Sequence, residues 1–289
     1  MRISVIIPHW NDLENLARCL AHLRAQTLTR ENFEIVVADN NSASGLAAVR
    51  AVCGDDVTLV EAKEQGAGPA RNAAIAASRG EILALIDSDC FADPDWLEMG
   101  IAGLAGFDFI GGDVRVHPKM PGAPNGVEAF ETVFAFDFRD YIERQGFTGT
   151  GNMFVSRRVF DAVGPFRNGV SEDVEWSHRA RDKGFRLSYV PGARVTHPAR
   201  HDWPALRAKW EKATREAWGL VRGNAGAEWR WLLKASVMPI SAFAHIPKVL
   251  MHSADLRFTD RLKAIAVLIR LRAWRGGEMF RLWARGAGR

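Results

Sequence analysis

With 289 residues, 47% of them hydrophobic and 25% charged, the chain has ordinary globular composition, which excludes a disordered or fibrous protein and suits one large domain or a domain with an appendage. Three scattered cysteines, Cys19, Cys53 and Cys90, exclude a disulfide framework or a zinc site and suit a reducing cytoplasm, and Met1 to Pro8 has strand character rather than that of a signal peptide. The net charge of +4 divides unevenly: 20 Lys and Arg stand against 27 Asp and Glu up to Ala199, then 18 against 7 from Arg200 onward.

Ile3 to Pro8 is predicted as the first strand, and Leu13 to Gln26 as a helix with Leu16, Leu20 and Leu23 on one face. Phe33 to Ala38 forms a second strand that ends at Asp39, and Val57 to Val60 a short third. A glycine-containing turn, Gly66 to Pro69, opens a helix over Ala70 to Ser78, and Ile82 to Ile86 is a fourth strand. This alternation predicts a doubly wound, mostly parallel α/β sheet, in which ligands bind beyond the carboxyl ends of the strands. Asp87 and Asp89 follow the fourth strand at once. Two carboxylates one residue apart can share a hard cation that neutralises phosphate oxygens. The bland alternative is an acidic loop that caps the helix near Pro94. Asp39 can accept hydrogen bonds from a base or a ribose, or it can cap a turn. The Gly66–Asn72 segment lacks the Gly-Lys-Ser/Thr ending of a P-loop. Arg71 within it can fork to a phosphate or base, or be an exposed helix charge.

Further on, Ile110 to Val116 reads as a strand, Pro118 to Pro124 as a loop, and Val127 to Ile142 as an amphipathic helix. Gly149 to Met153 gives a tight turn. Glu172 and Asp173 follow Ser171 at a helix start, where carboxylates serve either as a catalytic base or as caps to the helix dipole. Trp176 on that helix either stacks on a bound ligand or packs in the core. A strand over Leu187 to Val190 and a turn over Pro191 to Val195 return His197 towards the site.

After Arg200 the chain becomes basic and tryptophan-rich. Trp203 to Arg222 is predicted helical, with Leu206, Trp210 and Ala217 on a stripe flanked by Arg207, Lys209, Lys212 and Arg215. Trp229 to Met251 is mostly apolar, yet Lys234, Pro239, His245 and Pro247 interrupt the roughly 20 apolar residues that a spanning helix needs. Thr259 to Trp274 is another helix, with Leu262, Ile265, Ala266 and Ile269 together. Such a tail suits an anionic membrane interface; packing on the core or a homodimer is the alternative. The long aliphatic runs argue against nucleic acid as its partner.

The order ISVIIPHWND, VVADNNS and GPARNAAIAASRGEILALIDSDC, followed by GTGNMFVSRRVFDAVGPF, SEDVEWSHRARDKGFRLSYVP and VTHP, resembles the family 2 glycosyltransferases. The resemblance implies an A-type glycosyltransferase fold with a C-terminal helical appendage. It also implies inverting transfer of a sugar from a nucleotide-sugar to a glycan or lipid-linked acceptor. By that resemblance Pro8 and the loop after it border the nucleobase, Asp39 reads it, Arg71 packs near base and ribose, and Asp87 meets the ribose or the metal's hydration shell. Asp89, with Asp87 and His197, holds Mn²⁺ or Mg²⁺. Asp173, beside Glu172, is the catalytic base, and Lys209 or Arg215 covers the diphosphate. Together these expectations make residues 1–200 a catalytic domain for surface polysaccharide or glycolipid synthesis, with a UDP-sugar as favoured donor. Residues 201–289 become a helical region that holds the enzyme peripherally on the cytoplasmic membrane face. The rival readings are a nucleotide-sugar binder without turnover and a nucleic-acid binder through the tail.

Overall fold

The structure is a computed structural model that describes residues 2–120 and 122–287, with the side chains of Glu216, Leu220 and Ala287 outside the description. The chain forms two compact units, Met1–Arg115 with Asp137–His197, and Val116–Phe136 with Pro198–Arg289.

The first unit is built on an eight-stranded sheet in the order β3-β2-β1-β4-β7-β6-β8-β5. Its parallel half comprises β1 (Ile3–His9), β2 (Phe33–Asp39), β3 (Thr58–Glu61) and β4 (Ile82–Ile86). These strands are rich in Val, Ile and Leu because both faces of the sheet are covered. Val5 and Ile7 pack with Leu16, Leu20 and Leu23 of α1 (Leu13–Arg24), and with α2 (Gly45–Cys53), on one face. Ile6 points to the other face, against Ala70, Ala74 and Ile75 of α3 (Ala67–Ala77). The chain passes from β1 outward to β2 and β3, then returns to the far side of β1 as β4. Strand order therefore reverses between β1 and β4, and a crevice opens there beyond the strand ends.

The other half of the sheet holds β5 (Phe91–Ala92), β6 (Phe109–His117), β7 (Asn152–Ser156) and β8 (Leu187–Pro198). Strand β7 runs antiparallel to both β4 and β6. Trp96 of α4 (Trp96–Gly103) donates its indole N–H to Asn152 Oδ1 at 2.9 Å, and Asn152 Nδ2 donates to the carbonyls of Asp113 and Ala193. The turn expected over Pro191–Val195 is absent, because β8 runs straight through it. Gly112 makes this possible: a Cβ there would lie 1.8 Å from the Ala193 carbonyl oxygen, so only glycine lets the two backbones pass.

The helix expected over Val127–Ile142 is broken. It forms α5 (Gly126–Phe134), then restarts as α6 (Phe138–Asp140) and a π-turn over Tyr141–Gln145. Asp137 makes the break, with φ −144° and its side chain accepting from the Asp140 N–H, and there the chain leaves the second unit for the first. Two helices, α7 (Arg157–Val163) and α8 (Glu172–Asp182), complete the first unit. Trp176 of α8 is fully buried among Phe109, Phe160 and Phe166, and its indole N–H meets the Gly164 carbonyl, so it serves the core and not a sugar.

The second unit is helical, with α5 joined by α9 (Trp203–Val221), α10 (Ala225–Val237), α11 (Ser241–Met251) and α12 (Phe258–Ala287). Its 30-residue helix α12 spans about 45 Å at the usual helical rise. Ala264, Leu268 and Leu271 of α12 pack with Phe130 and Val133 of α5 and Leu206 of α9. Buried Glu131 of α5 accepts from Arg200 at 3.0 Å and from Lys209 at 3.3 Å. No helix among the described residues is long and apolar enough to cross a membrane.

Candidate active site

A cleft of about 380 Å³ opens where strand order reverses, lined by Pro8 and His9 at the end of β1 and Trp10 beyond it, Gly66, Ala67, Ala70 and Arg71 at the start of α3, and Asp87, Ser88 and Asp89 after β4. Pairing between β1 and β4 ends at Ile6 and Leu85, two residues short of Pro8, and the strands diverge from that point. The loops that form the rim are fixed by short polar side chains. Asn11 and Asn41 both adopt positive φ, 54° and 58°, which asparagine tolerates. Asn11 ties the two loops together: its N–H meets Ser42 Oγ, and its Oδ1 accepts from the Ala43 N–H. Asn40 accepts from the Gly66 N–H and donates to the carbonyls of Ala62 and Glu64, so it sets where α3 begins.

Asp39 does not line this cleft. It is 2% exposed, and one carboxylate oxygen takes His9 Nδ1 at 2.9 Å while Ser42 fills both oxygens through its hydroxyl and N–H. Burial alone would raise its pKa, but the hydrogen bonds from Ser42 and His9 outweigh that and hold the carboxyl below its usual range. His9 and Ser42 together take three of the roughly four acceptor sites of the Asp39 carboxylate. Trp10, in the loop expected to border the nucleobase but not singled out there, is 60% exposed on the cleft wall, an indole face held out into water.

Arg71 joins the pieces. Its guanidinium, 4% exposed, donates to Asp87 Oδ1 at 2.6 Å and to Glu172 Oε1 at 2.7 Å, tying the end of β4 to the start of α8. Burial opposes its charge, but Asp87 and Glu172 outweigh burial and raise its pKa. The second oxygen of Asp87 stands over Gly151, where a Cβ would lie 2.9 Å away. Asp173 sits beside Glu172 in the first turn of α8 and accepts its neighbour Val174's N–H at 2.8 Å. Burial pushes its carboxyl above the ordinary range, and the charge of Glu172 adds to that. Of two adjacent carboxylates, one is thus committed to an arginine and the other has its pKa raised by burial.

His197 arrives on β8 and places Nε2 3.1 Å from Asp89 Oδ2. Asp87, Asp89 and Cys90 can bring one ligand atom each within 4.8 Å of the others. Burial holds the Cys90 thiol well above its usual pKa, so it stays protonated and is a poor ligand. The remaining carboxylates suit Mn²⁺ or Mg²⁺, with an imidazole at hand, so the donor set fits a hard divalent cation. In the second unit, Lys209 is held by Glu131, and Arg215 pairs with Glu211 at 3.0 Å.

Residues 4–164 match the family model described as glycosyl transferase family 2. The chain belongs to glycosyl transferase family 2. Similar proteins include glycosyltransferase AglE of Haloferax volcanii, 31% identical over 284 residues, which cover 94% of this chain and 91% of that protein. Putative glycosyltransferase EpsH of Bacillus subtilis is 33% identical over 99 residues, 33% of this chain and 28% of that protein. Among solved structures, mannosyltransferase PcManGT from Pyrobaculum calidifontis, in complex with GDP-Man and Mn²⁺, superposes with a TM-score of 0.61 at 18% identity, covering 99% of this chain and 87% of its own. TarS 1–349 of S. aureus in complex with UDP-GlcNAc gives 0.52 at 18% identity, covering 95% of this chain and 73% of its own. The fold of this family 2 member is therefore the A-type glycosyltransferase fold, and the chain is a glycosyltransferase.

Proposed function

We propose that this glycosyltransferase moves a sugar, with inversion, from a nucleoside diphosphate donor to a glycan or lipid-linked acceptor at the cytoplasmic membrane face. The observation that carries this reading is the Arg71 bridge. It holds Asp87 on the β4 side of the cleft and Glu172 next to Asp173 on α8. Pro8 and the Trp10 indole would flank the nucleobase, with Arg71 keeping the carboxylates in place. Asp173 would take the proton of the acceptor hydroxyl as it attacks from the face opposite the leaving nucleoside diphosphate. A positioned base of this kind supplies about 10²–10⁴-fold. Its raised pKa brings it closer to the working pH, where proton transfer is most effective. Glu172, tied to Arg71, would position rather than accept a proton. A bound Mn²⁺ or Mg²⁺ held by Asp87, Asp89 and His197 would offset charge on the departing diphosphate.

The ground for favouring a UDP-sugar is the match of Asp39 and Arg71 to base-reading positions; Asp39 is hydrogen-bonded to His9 and Ser42, and Arg71 to Asp87 and Glu172. The donor is accordingly proposed at the level of a nucleoside diphosphate sugar. PcManGT was solved with GDP-Man and TarS with UDP-GlcNAc, so both bases belong in the test. Calorimetric titration of UDP-, GDP- and dTDP-sugars, with Mn²⁺ or with chelator, measures donor binding. Saturable binding of one donor that weakens at least tenfold in chelator supports the reading, and no binding by any donor overturns it.

A further inference from the structure

The exposed apolar surface of the second unit is concentrated on two short helices. On α10, Trp229, Leu233 and Val237 recur at every fourth position and are 71%, 60% and 48% exposed. They line one face, opposite Trp231 and Ala235, which are buried. Ile240 at the turn, and Phe243 and Met251 of α11, are likewise exposed, at 67%, 63% and 77%. Scattered exposed apolar residues are normal on a protein surface, but a run of this kind marks an interaction surface. On α12, Ala264, Leu268 and Leu271 are buried in the core of the unit, while Leu262, Ala266 and Ile269, on the face expected to meet lipid, remain exposed, as do Phe258 and Phe280.

We propose that the outer face of α10 and α11 lies in the headgroup region of an anionic bilayer. This deepens the placement at the membrane given above and rests on it, but not on the identity of the donor. Charge favours lipid over a second protein. Arg230 and Lys234 are exposed and follow Trp229 and Leu233 directly in sequence, which puts them about 100° further round the helix. Neither is in an ion pair with a described residue. Cations beside a Trp-bearing apolar stripe match the level of lipid phosphates. Between Ala225 and Met251 the acidic residue Glu228 stands against Arg230, Lys234 and Lys248. The helices have 13 and 11 residues, too short for the roughly 20 needed to span, and Pro247 lies inside the second. An apolar face bounded by cations on helices of this length lies in the interface plane.

Flotation of the full chain with vesicles of neutral phosphatidylcholine, or of the same lipid with 30–40% phosphatidylglycerol (roughly, a strongly anionic surface), tests this. The wild type is expected to float with the anionic vesicles at least tenfold more than with neutral ones, and high salt should reduce that ratio. Leu233→Asp with Phe243→Asp should abolish flotation. Arg230→Gln with Lys234→Gln, which leaves the apolar face intact, should remove the anionic preference alone. Thermal melts of each variant check folding, and calorimetric donor binding on the same preparations is read separately, so a failure of membrane binding is distinct from a failure of the transferase reading. Wild-type protein left in the buffer, or aspartate variants that float unchanged, would overturn the proposal. So would a wild-type dimer that these substitutions convert to monomer without any vesicle binding, since the face would then belong to a second copy.

Discussion

At the level of single residues, the proposed chemistry turns on Arg71 and Asp173. Arg71→Ala leaves Asp87 and Glu172 facing each other without their shared cation. Because both carboxylates are partly open to water, the cost falls below the 3–5 kcal/mol of a fully buried broken pair, at about 1–3 kcal/mol. Urea unfolding measures that cost, and Arg71→Lys should restore only part of it, because one ammonium cannot fork to both carboxylates. Asp173→Asn carries an opposite pair of effects. Turnover should fall 10²–10⁴-fold, roughly the worth of a positioned base. Stability at neutral pH should rise, because a carboxyl whose folded pKa is raised resists ionisation in the folded state. The sign follows: the penalty is absent below the unfolded value near 3.8 and develops as pH rises through the folded one, so the variant's gain in melting temperature should vanish in acid. A wild-type rate profile rising through an ordinary aspartate pKa would contradict the assignment of Asp173 as base. At this scale Asp39 shows what linear spacing hides. A carboxylate at a strand end was legible, but its occupation was not. The β1–β2 register sets His9 opposite Asp39 across 30 residues of sequence, and that pairing turns the carboxylate inward. Trp10 was legible only as a loop residue, since exposure is a property of the folded chain.

Among the elements, β4 and α8 were readable because each announces itself locally. Ile82 to Ile86 is an unbroken apolar run that stops at Asp87, and Ser171 precedes a helix rich in first-turn carboxylates. The crossing of β6 and β8 was not readable, because it depends on Gly112 meeting Ala193, 81 residues later, and Pro191-Gly192 looks like a turn when read alone. Gly112→Ala tests that crossing. Its Cβ would press on backbone that cannot rotate away, so destabilisation of about 3 kcal/mol or more is expected in urea unfolding. Strand β8 also delivers His197 to Asp89, so the same variant should bind Mn²⁺ more weakly, measured by titration of the metal alone. Unchanged stability would mean that the strands pass with more room than described. The break at Asp137 belongs here too. Apolar spacing continued across it from Phe134 to Phe138, and periodicity alone could not reveal that a capping aspartate divides the helix.

Across the whole molecule, the division of charge seen in the sequence has a structural counterpart. The acidic cleft belongs to the first unit and the cation-rich helices to the second. Within the second unit, Glu131 is 1% exposed and compensates both Arg200 and Lys209. Burial raises its pKa, yet Lys209 and Arg200 outweigh burial and leave it lowered. A lowered carboxyl stabilises above its unfolded pKa near 4.5, and that stability is lost as pH falls through the folded value. Glu131→Gln should therefore lower the melting temperature at neutral pH, by the equivalent of about 3 kcal/mol, and match the wild type in strong acid. Metal-dependent transfer from a nucleotide-sugar through Asp89 is read out by release of free nucleoside diphosphate. The assay takes UDP-, GDP- and dTDP-sugars with mixed lipid extract as acceptor source, in Mn²⁺ or in chelator, on the wild type and on Asp89→Ala. Release from one donor that chelator abolishes, and that Asp89→Ala lowers at least 100-fold (roughly 2.7 kcal/mol of barrier), is the predicted result. Release at full rate in chelator and in Asp89→Ala would contradict the account.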